Sequence, residues 1–161
     1  MKFNLIDKIE EISDLRIVAV KYVSLAEEYL ADHFPTFPVL PGVMMLEALT
    51  QAAGWLLHHR TNFAKTMAVL KEAKNVKYGH FVAPGNFLRV EVEFNKQTET
   101  GATFKAAGTV NGQKQALAAR LELAYFSLAE REPEWAYVDA KLMKHTKQRW
   151  SVLQHVKTVA V

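Results

Sequence analysis

Cysteine is absent from the chain, which excludes disulfides, thiolate-bound metals and a cysteine nucleophile and is compatible with a reducing compartment. A cytoplasmic location is therefore expected. Long apolar runs are also missing. In the first twenty residues, MKFNLIDKIEEISDLRIVAV, an Asp, Glu or Lys breaks every apolar stretch before it reaches signal-peptide length. The longest apolar stretch, about Val39 to Leu57, contains Glu47 and Gln51 and falls short of the roughly 20 residues that a membrane span needs. It reads as a core helix. Internal repeats and low-complexity tracts are lacking, and His80, His145 and His155 have no ligand spacing with acids or with one another. No metal site and no cofactor are expected.

What is present is the composition of one folded domain: 161 residues, half of them apolar and 23% charged. Charge is unevenly placed. Residues 140 to 161 hold Lys141, Lys144, Lys147, Arg149 and Lys157 with no acid, so the net +3 of the chain divides into +5 there and −2 over residues 1 to 139. A basic tail on a slightly acidic body either meets an acidic partner, such as a carrier protein, a membrane surface or nucleic acid, or is a solvated helix face.

Along the chain, Phe3 to Ile9 and Leu15 to Val23 predict a β-hairpin turning through the charged Glu10 to Asp14. Ser24, with Glu27 three residues on, predicts a short capped helix to Leu30. Prolines 35, 38 and 41 then forbid helix and hold ADHFPTFPVLPG as a stiff loop. Gly42 or Val43 opens a helix to about His59 that is apolar on nearly every side and must be buried. Four strand-like segments follow, Thr66 to Tyr78, Asn86 to Lys96, Ala102 to Val110 and Gln113 to Phe126, with Thr100-Gly101 and Asn111-Gly112 as turns. After the linker AEREPEW, Trp135, Val138, Leu142, Trp150, Leu153 and Val156 mark an amphipathic helix. The expected class is α+β, an antiparallel sheet wrapped around a central helix, with residues 1–126 as the domain and 127–161 as an extension.

Glu47 is the chemical oddity, because a carboxyl on an all-round apolar helix bears a desolvation cost unless it has partners. Gln51, at i+4, can hold it. Either Glu47 is functional or it snorkels at a subunit interface. His33 lies in the proline-stiffened loop just before the helix, and a His with a carboxyl is the pair that removes an α-proton and expels a β-hydroxyl. At Gly42, the helix start offers free N–H groups to a thioester carbonyl. His58 and His59 end the helix, where a cation suits the dipole. Trp55, Trp135 and Trp150 read as core or interface residues.

The segment HFPTFPVLPGVMMLEALTQ, residues 33–51, resembles the H-F-P-x-x-P-x-x-P-G-V-x-x-x-E-A-x-x-Q signature of bacterial β-hydroxyacyl-acyl-carrier-protein dehydratases. The resemblance continues more loosely through Tyr78, FVAPGN at 81–86 and the strands after it. It implies the hotdog fold, a homodimer or a trimer of dimers, and a site between subunits where His33 of one meets Glu47 of the other. His33 would act at C2, Glu47 on the departing hydroxyl through a water, and the Gly42 and Val43 N–H groups on the thioester oxygen. Gln51 and Asp32 would support them, and Phe34, Pro41 and Tyr78 would line an apolar acyl tunnel, though Tyr78 also reads as a packed strand-end aromatic.

Glu at position 47 matches the dehydratase-only branch, since the branch that also isomerises carries Asp there. The implied partner is acyl carrier protein, with no nucleic acid and no membrane span. Three departures stand out. Asp32 replaces the family's usual Gly before the His, and a carboxylate beside the imidazole predicts a shifted pH optimum. An N-terminal segment of the housekeeping enzymes is missing, while 127–161 is added. The rival readings are a hotdog acyl thioesterase and a non-catalytic acyl-binding hotdog subunit.

Overall fold

Strand-forming residues fall on both sides of the single apolar helix, so the sheet they build can close around it. The computed structural model describes residues 3 to 155. Its elements are β1 (Lys8–Ile12), β2 (Arg16–Tyr22), α1 (Gly42–Arg60), β3 (Met67–Tyr78), β4 (Phe87–Gln97), β5 (Gly101–Val110), β6 (Lys114–Phe126) and α2 (Ala136–His155). The strands form one sheet in the order β1-β2-β4-β5-β6-β3, antiparallel at every pairing. β4 shows why the sheet has two faces: Leu88, Val90 and Val92 are buried while Arg89, Glu91 and Glu93 alternate outward. The inner face meets Met45, Ala48, Leu49, Ala52, Ala53, Leu56 and Leu57 of α1 around a fully buried Phe104.

Asn111 and Gly112 both take positive φ, 53° and 73°, as the two-residue turn between β5 and β6 requires. The first strand lies further on than expected. Leu5 and Ile6 are buried, yet the Leu5 amide bonds the Gln51 side chain rather than a neighbouring strand. Glu10 to Ile12, expected to turn, instead pair in β1, because Arg89 and Arg16 neutralise Glu10 and Glu11 at 2.9 and 2.8 Å. The turn shifts to Ser13, Asp14 and Leu15, where the Ser13 hydroxyl accepts from the Arg16 amide.

The capped helix after Ser24 is likewise reduced to one 3-10 turn, Glu28–Leu30, without a side-chain cap. Glu27 does not answer Ser24; it binds the buried ammonium of Lys21 at 2.7 Å. A charged pairing outcompeted the cap.

α2 starts one residue after Trp135, behind a 3-10 turn at Pro133–Trp135, and Val156 lies outside the described residues. It packs beside β1 and the second half of α1, where Trp150 meets Trp55 and Phe63 with ring centroids 5.6 Å apart in each pair and Leu153 is buried. Asp139 anchors its start, accepting from the Leu128 and Ala129 amides at 3.0 and 2.8 Å and from the Thr66 hydroxyl.

Candidate active site

α1 and β3 run in opposite directions, and this sets the geometry of the site. The Tyr78 ring, at the end of β3, lies so close over Gly42 that a Cβ there would come within 3.0 Å of it; at the other end a Cβ on Gly54 would stand 3.3 Å from that of Ala68. Any larger residue at position 42 would have to push the ring away. Gly42, expected to meet the thioester, and Tyr78, expected in the tunnel, thus lie against one another. Pro41 is buried and its carbonyl accepts from the Met44 and Met45 amides. The Gly42 and Val43 amides precede them in the first turn, where a helix supplies no acceptor of its own.

The proline loop returns to this end of β3, because the Leu40 amide donates to the Val82 carbonyl. His33 is half-buried in the loop, its ring stacked on Phe34 at 4.2 Å. Its Nδ1 lies 3.0 Å from the Val39 carbonyl. A carbonyl only accepts, so Nδ1 carries hydrogen, and in that neutral tautomer the lone pair belongs to Nε2. Asp32 is exposed beside it. Around this end Phe34, Phe37, Val43, Tyr78 and Phe81 are all at least half exposed, a concentration of apolar surface that a lone soluble chain rarely shows.

Glu47 lies elsewhere, on the side of α1 that faces the start of β3. Contrary to expectation it is exposed in the single chain, as is Val43, because the sheet covers only part of the helix. Gln51 holds it as its spacing predicts: Nε2 donates to Glu47 Oε1 at 3.0 Å and to the Phe3 carbonyl at 2.9 Å, while Oε1 accepts from the Leu5 amide. One side chain orients the carboxyl and ties down the N-terminal segment. Among the described residues, no hydrogen bond joins His33 to Glu47 within one chain.

Glu47 and Gln51 belong to the wall of a cavity of about 290 Å³ that also includes Gly54, Trp55 and His58 of α1, Met67 and Ala68 of β3, and Thr146 and Arg149 of α2. Larger hollows lie over the exposed side of β5 and β6, floored by Ala107 and Ala118 and edged by Lys105 and Arg120, but neither contains His33 or Glu47. His58 corrects a second expectation. It is buried, stacked on Phe63 and bonded through Nδ1 to the Tyr125 hydroxyl at 3.1 Å. Burial pushes its pKa from 6.5 down to about 4, so it is neutral and no cation at the helix end. His59 lies at the surface, 3.7 Å from Asp14.

The spacing of Trp150 and Leu153 foretells that α2 docks; it gives no sign that Thr146 and Arg149 would reach the Glu47 cavity.

The FabA-like domain family matches residues 1–119. This chain belongs to that family. It is 38% identical over 111 residues to a 3-hydroxyacyl-[acyl-carrier-protein] dehydratase FabZ of Clostridium perfringens, covering 69% of this chain and 80% of the relative. A FabZ of Solibacter usitatus is 39% identical over 111 residues, 68% of each chain. Among solved structures, the dehydratase heterocomplex ApeI:P from Xenorhabdus doucetiae matches with TM-score 0.66 at 19% identity, over 83% of this chain and 90% of that one. A hypothetical thioesterase from Streptococcus pneumoniae matches with TM-score 0.56 at 14% identity, over 73% and 84%. At such identities the structural likenesses establish the hotdog fold and no more.

Proposed function

We propose that this chain dehydrates a 3-hydroxyacyl thioester on acyl carrier protein to the trans-2-enoyl thioester, in fatty-acid or related lipid or polyketide synthesis, with His33 and Glu47 as its acid-base pair across a dimer interface. The observation that carries the reading is the placement of two prepared groups at opposite ends of one open strand edge. Among the described residues β3 pairs with β6 alone, leaving its other edge free. His33, Gly42 and Tyr78 lie at its end; Glu47, Gln51 and Ala68 lie toward its beginning.

A second copy pairing antiparallel on that edge reverses direction, so its His33 approaches this chain's Glu47. The same pairing covers the exposed Val43, Tyr78 and aromatic loop residues, consistent with an isologous twofold interface.

In that arrangement His33 Nε2 takes the proton from C2, and the breaking C–H pair forms the C2–C3 double bond as the hydroxyl leaves C3. Glu47 supplies the proton that makes the leaving group water. The Gly42 and Val43 amides, at the positive end of α1, meet the thioester oxygen as negative charge grows there. Phe34, Pro41 and Tyr78 form the tunnel entrance, and the exposed lysines of α2 receive the acidic carrier. Residues 127–161 form an extension of the 1–126 domain, and the cytoplasmic setting belongs to the same reading. The dehydratase reading is favoured over hydrolysis because the relatives at 35–39% identity bear dehydratase names, whereas the thioesterase likeness is one of fold. Intact His33, Glu47 and Gln51 speak against a non-catalytic subunit.

Incubating the full chain with 3-hydroxyacyl and trans-2-enoyl carrier thioesters, and following both by mass, tests this directly. Interconversion with an intact thioester is expected. Each of His33→Ala and Glu47→Gln should lower kcat/KM by about a hundredfold or more. Release of free thiol without an enoyl product would move the chain to the thioesterases.

A further inference from the structure

The family match ends at residue 119, and α2 begins only at Ala136, yet it is α2 that completes the Glu47 cavity. The cavity follows α1 from Glu47 past Gln51, Gly54 and Trp55 to His58, a span of about 16 Å of helix. Thr66, Thr146 and Arg149 close its wall with His58. A chain entering beside Glu47 therefore runs toward polar groups.

Two of these are already engaged. The Thr66 hydroxyl is given to Asp139 and His58 Nδ1 to Tyr125. Arg149 differs. Its Nη2 donates to the Ile6 carbonyl at 3.1 Å, and among the described residues no carboxylate pairs with it. Arg16 and Arg89 each hold a carboxylate, at 2.8 and 2.9 Å. A guanidinium has five N–H donors in a fixed fork, so Arg149 keeps donors in reserve on a half-buried cavity wall. A methyl end pressed against them would strip water and return nothing; an oxygen acceptor would replace the lost hydrogen bonds with charge-assisted ones.

We propose that this cavity selects acyl chains whose far end carries an oxygen acceptor, and that Arg149 is the residue that reads it. The inference rests on the Glu47 cavity being the acyl site of the proposed dehydratase. Arg149 is then a specificity residue contributed by the added helix.

The test uses the full chain and pantetheine thioesters of matched length that end in methyl, hydroxyl or carboxylate. The wild type should favour the hydroxyl- and carboxylate-ended 3-hydroxyacyl substrates over the methyl-ended one by about tenfold in kcat/KM. Arg149→Met should erase that ratio, bringing the three end groups to within about twofold of one another, and Arg149→Lys should keep the carboxylate preference. Loss of the Ile6 contact alone would lower thermal stability and all three rates together, leaving the ratio intact, and that result would overturn the proposal. So would equal or better wild-type turnover of the methyl-ended chain.

Calorimetric binding of the same three thioesters separates this proposal from the reaction it presumes. End-group-dependent binding that Arg149→Met abolishes, without any dehydration, would sustain the proposal and remove the dehydratase reading. Binding indifferent to the end group would overturn the proposal even where dehydration proceeds.

Discussion

The imidazole of His58 occupies a place where a charge is costly: buried, against Phe63 and Trp55, with the Tyr125 hydroxyl on Nδ1. Its folded pKa, about 4, lies below the ordinary 6.5, so between those values the unfolded chain binds a proton that the folded one refuses. Stability is therefore full above about pH 6.5 and falls as the pH drops toward 4. Between pH 7.5 and pH 5 the loss should be about 2 kcal/mol from this residue. Thermal melts at the two pH values should show it, and His58→Gln should flatten the difference.

Gln51 makes a prediction of the opposite kind: Gln51→Leu frees the Glu47 carboxyl, so kcat should fall by about tenfold with a smaller change in KM, measured on the carrier-bound substrate. At this scale Gln51 was legible, because i to i+4 spacing on a helix is geometry. The exposure of Glu47 and the burial of His58 were not. Both depend on which side of α1 the sheet and α2 leave open, a property of packing that no local pattern encodes.

Among the elements, α2 divides into two faces of different chemistry. Trp150, Leu153, Thr146 and Arg149 turn toward the body, while Lys141, Lys144 and Lys147 remain exposed. Replacing the three lysines by Ala should weaken turnover of carrier-bound substrate more than that of a short pantetheine mimic; equal effects on both would exclude carrier docking on this face. Asp139 holds the helix in place. Burial alone would raise its pKa, but the hydrogen bonds from Thr66, Ala129 and Leu128 outweigh that and keep the carboxyl below its usual range.

The anchoring is thus present above about pH 4 and is lost as acid protonates the group. Asp139→Ala should loosen α2 at neutral pH, read as a change in Trp150 fluorescence and faster proteolysis after Phe126. The element pattern itself was largely readable: the proline loop, the apolar helix, the turn at Asn111-Gly112 and the meander follow from backbone rules. The misplaced β1 and the missing cap after Ser24 share one cause. Ion pairs to Arg89, far away in sequence, and to Arg16 and Lys21 on β2 redirected acidic residues that local rules assign to turns and caps.

For the whole molecule, the question is whether one chain contains a site. With His33 and Glu47 at opposite ends of the free β3 edge, two inactive variants should repair one another. Mixing His33→Ala with Glu47→Gln under conditions that exchange subunits should recover up to about a quarter of wild-type activity, since half of randomly formed dimers are mixed and each has one intact pair. A site confined within one chain would recover nothing. Light scattering should report two chains of 18.2 kDa, or six where dimers assemble further.

The unpaired rim of β3 also ties output to abundance. In the proposed dimer this twelve-residue strand pairs with its twin, so dilution below the dissociation constant should leave half-built catalysts and lower the specific activity. Synthesis rate would then set the output of the proposed dimer twice, through the number of molecules and through the fraction that have met.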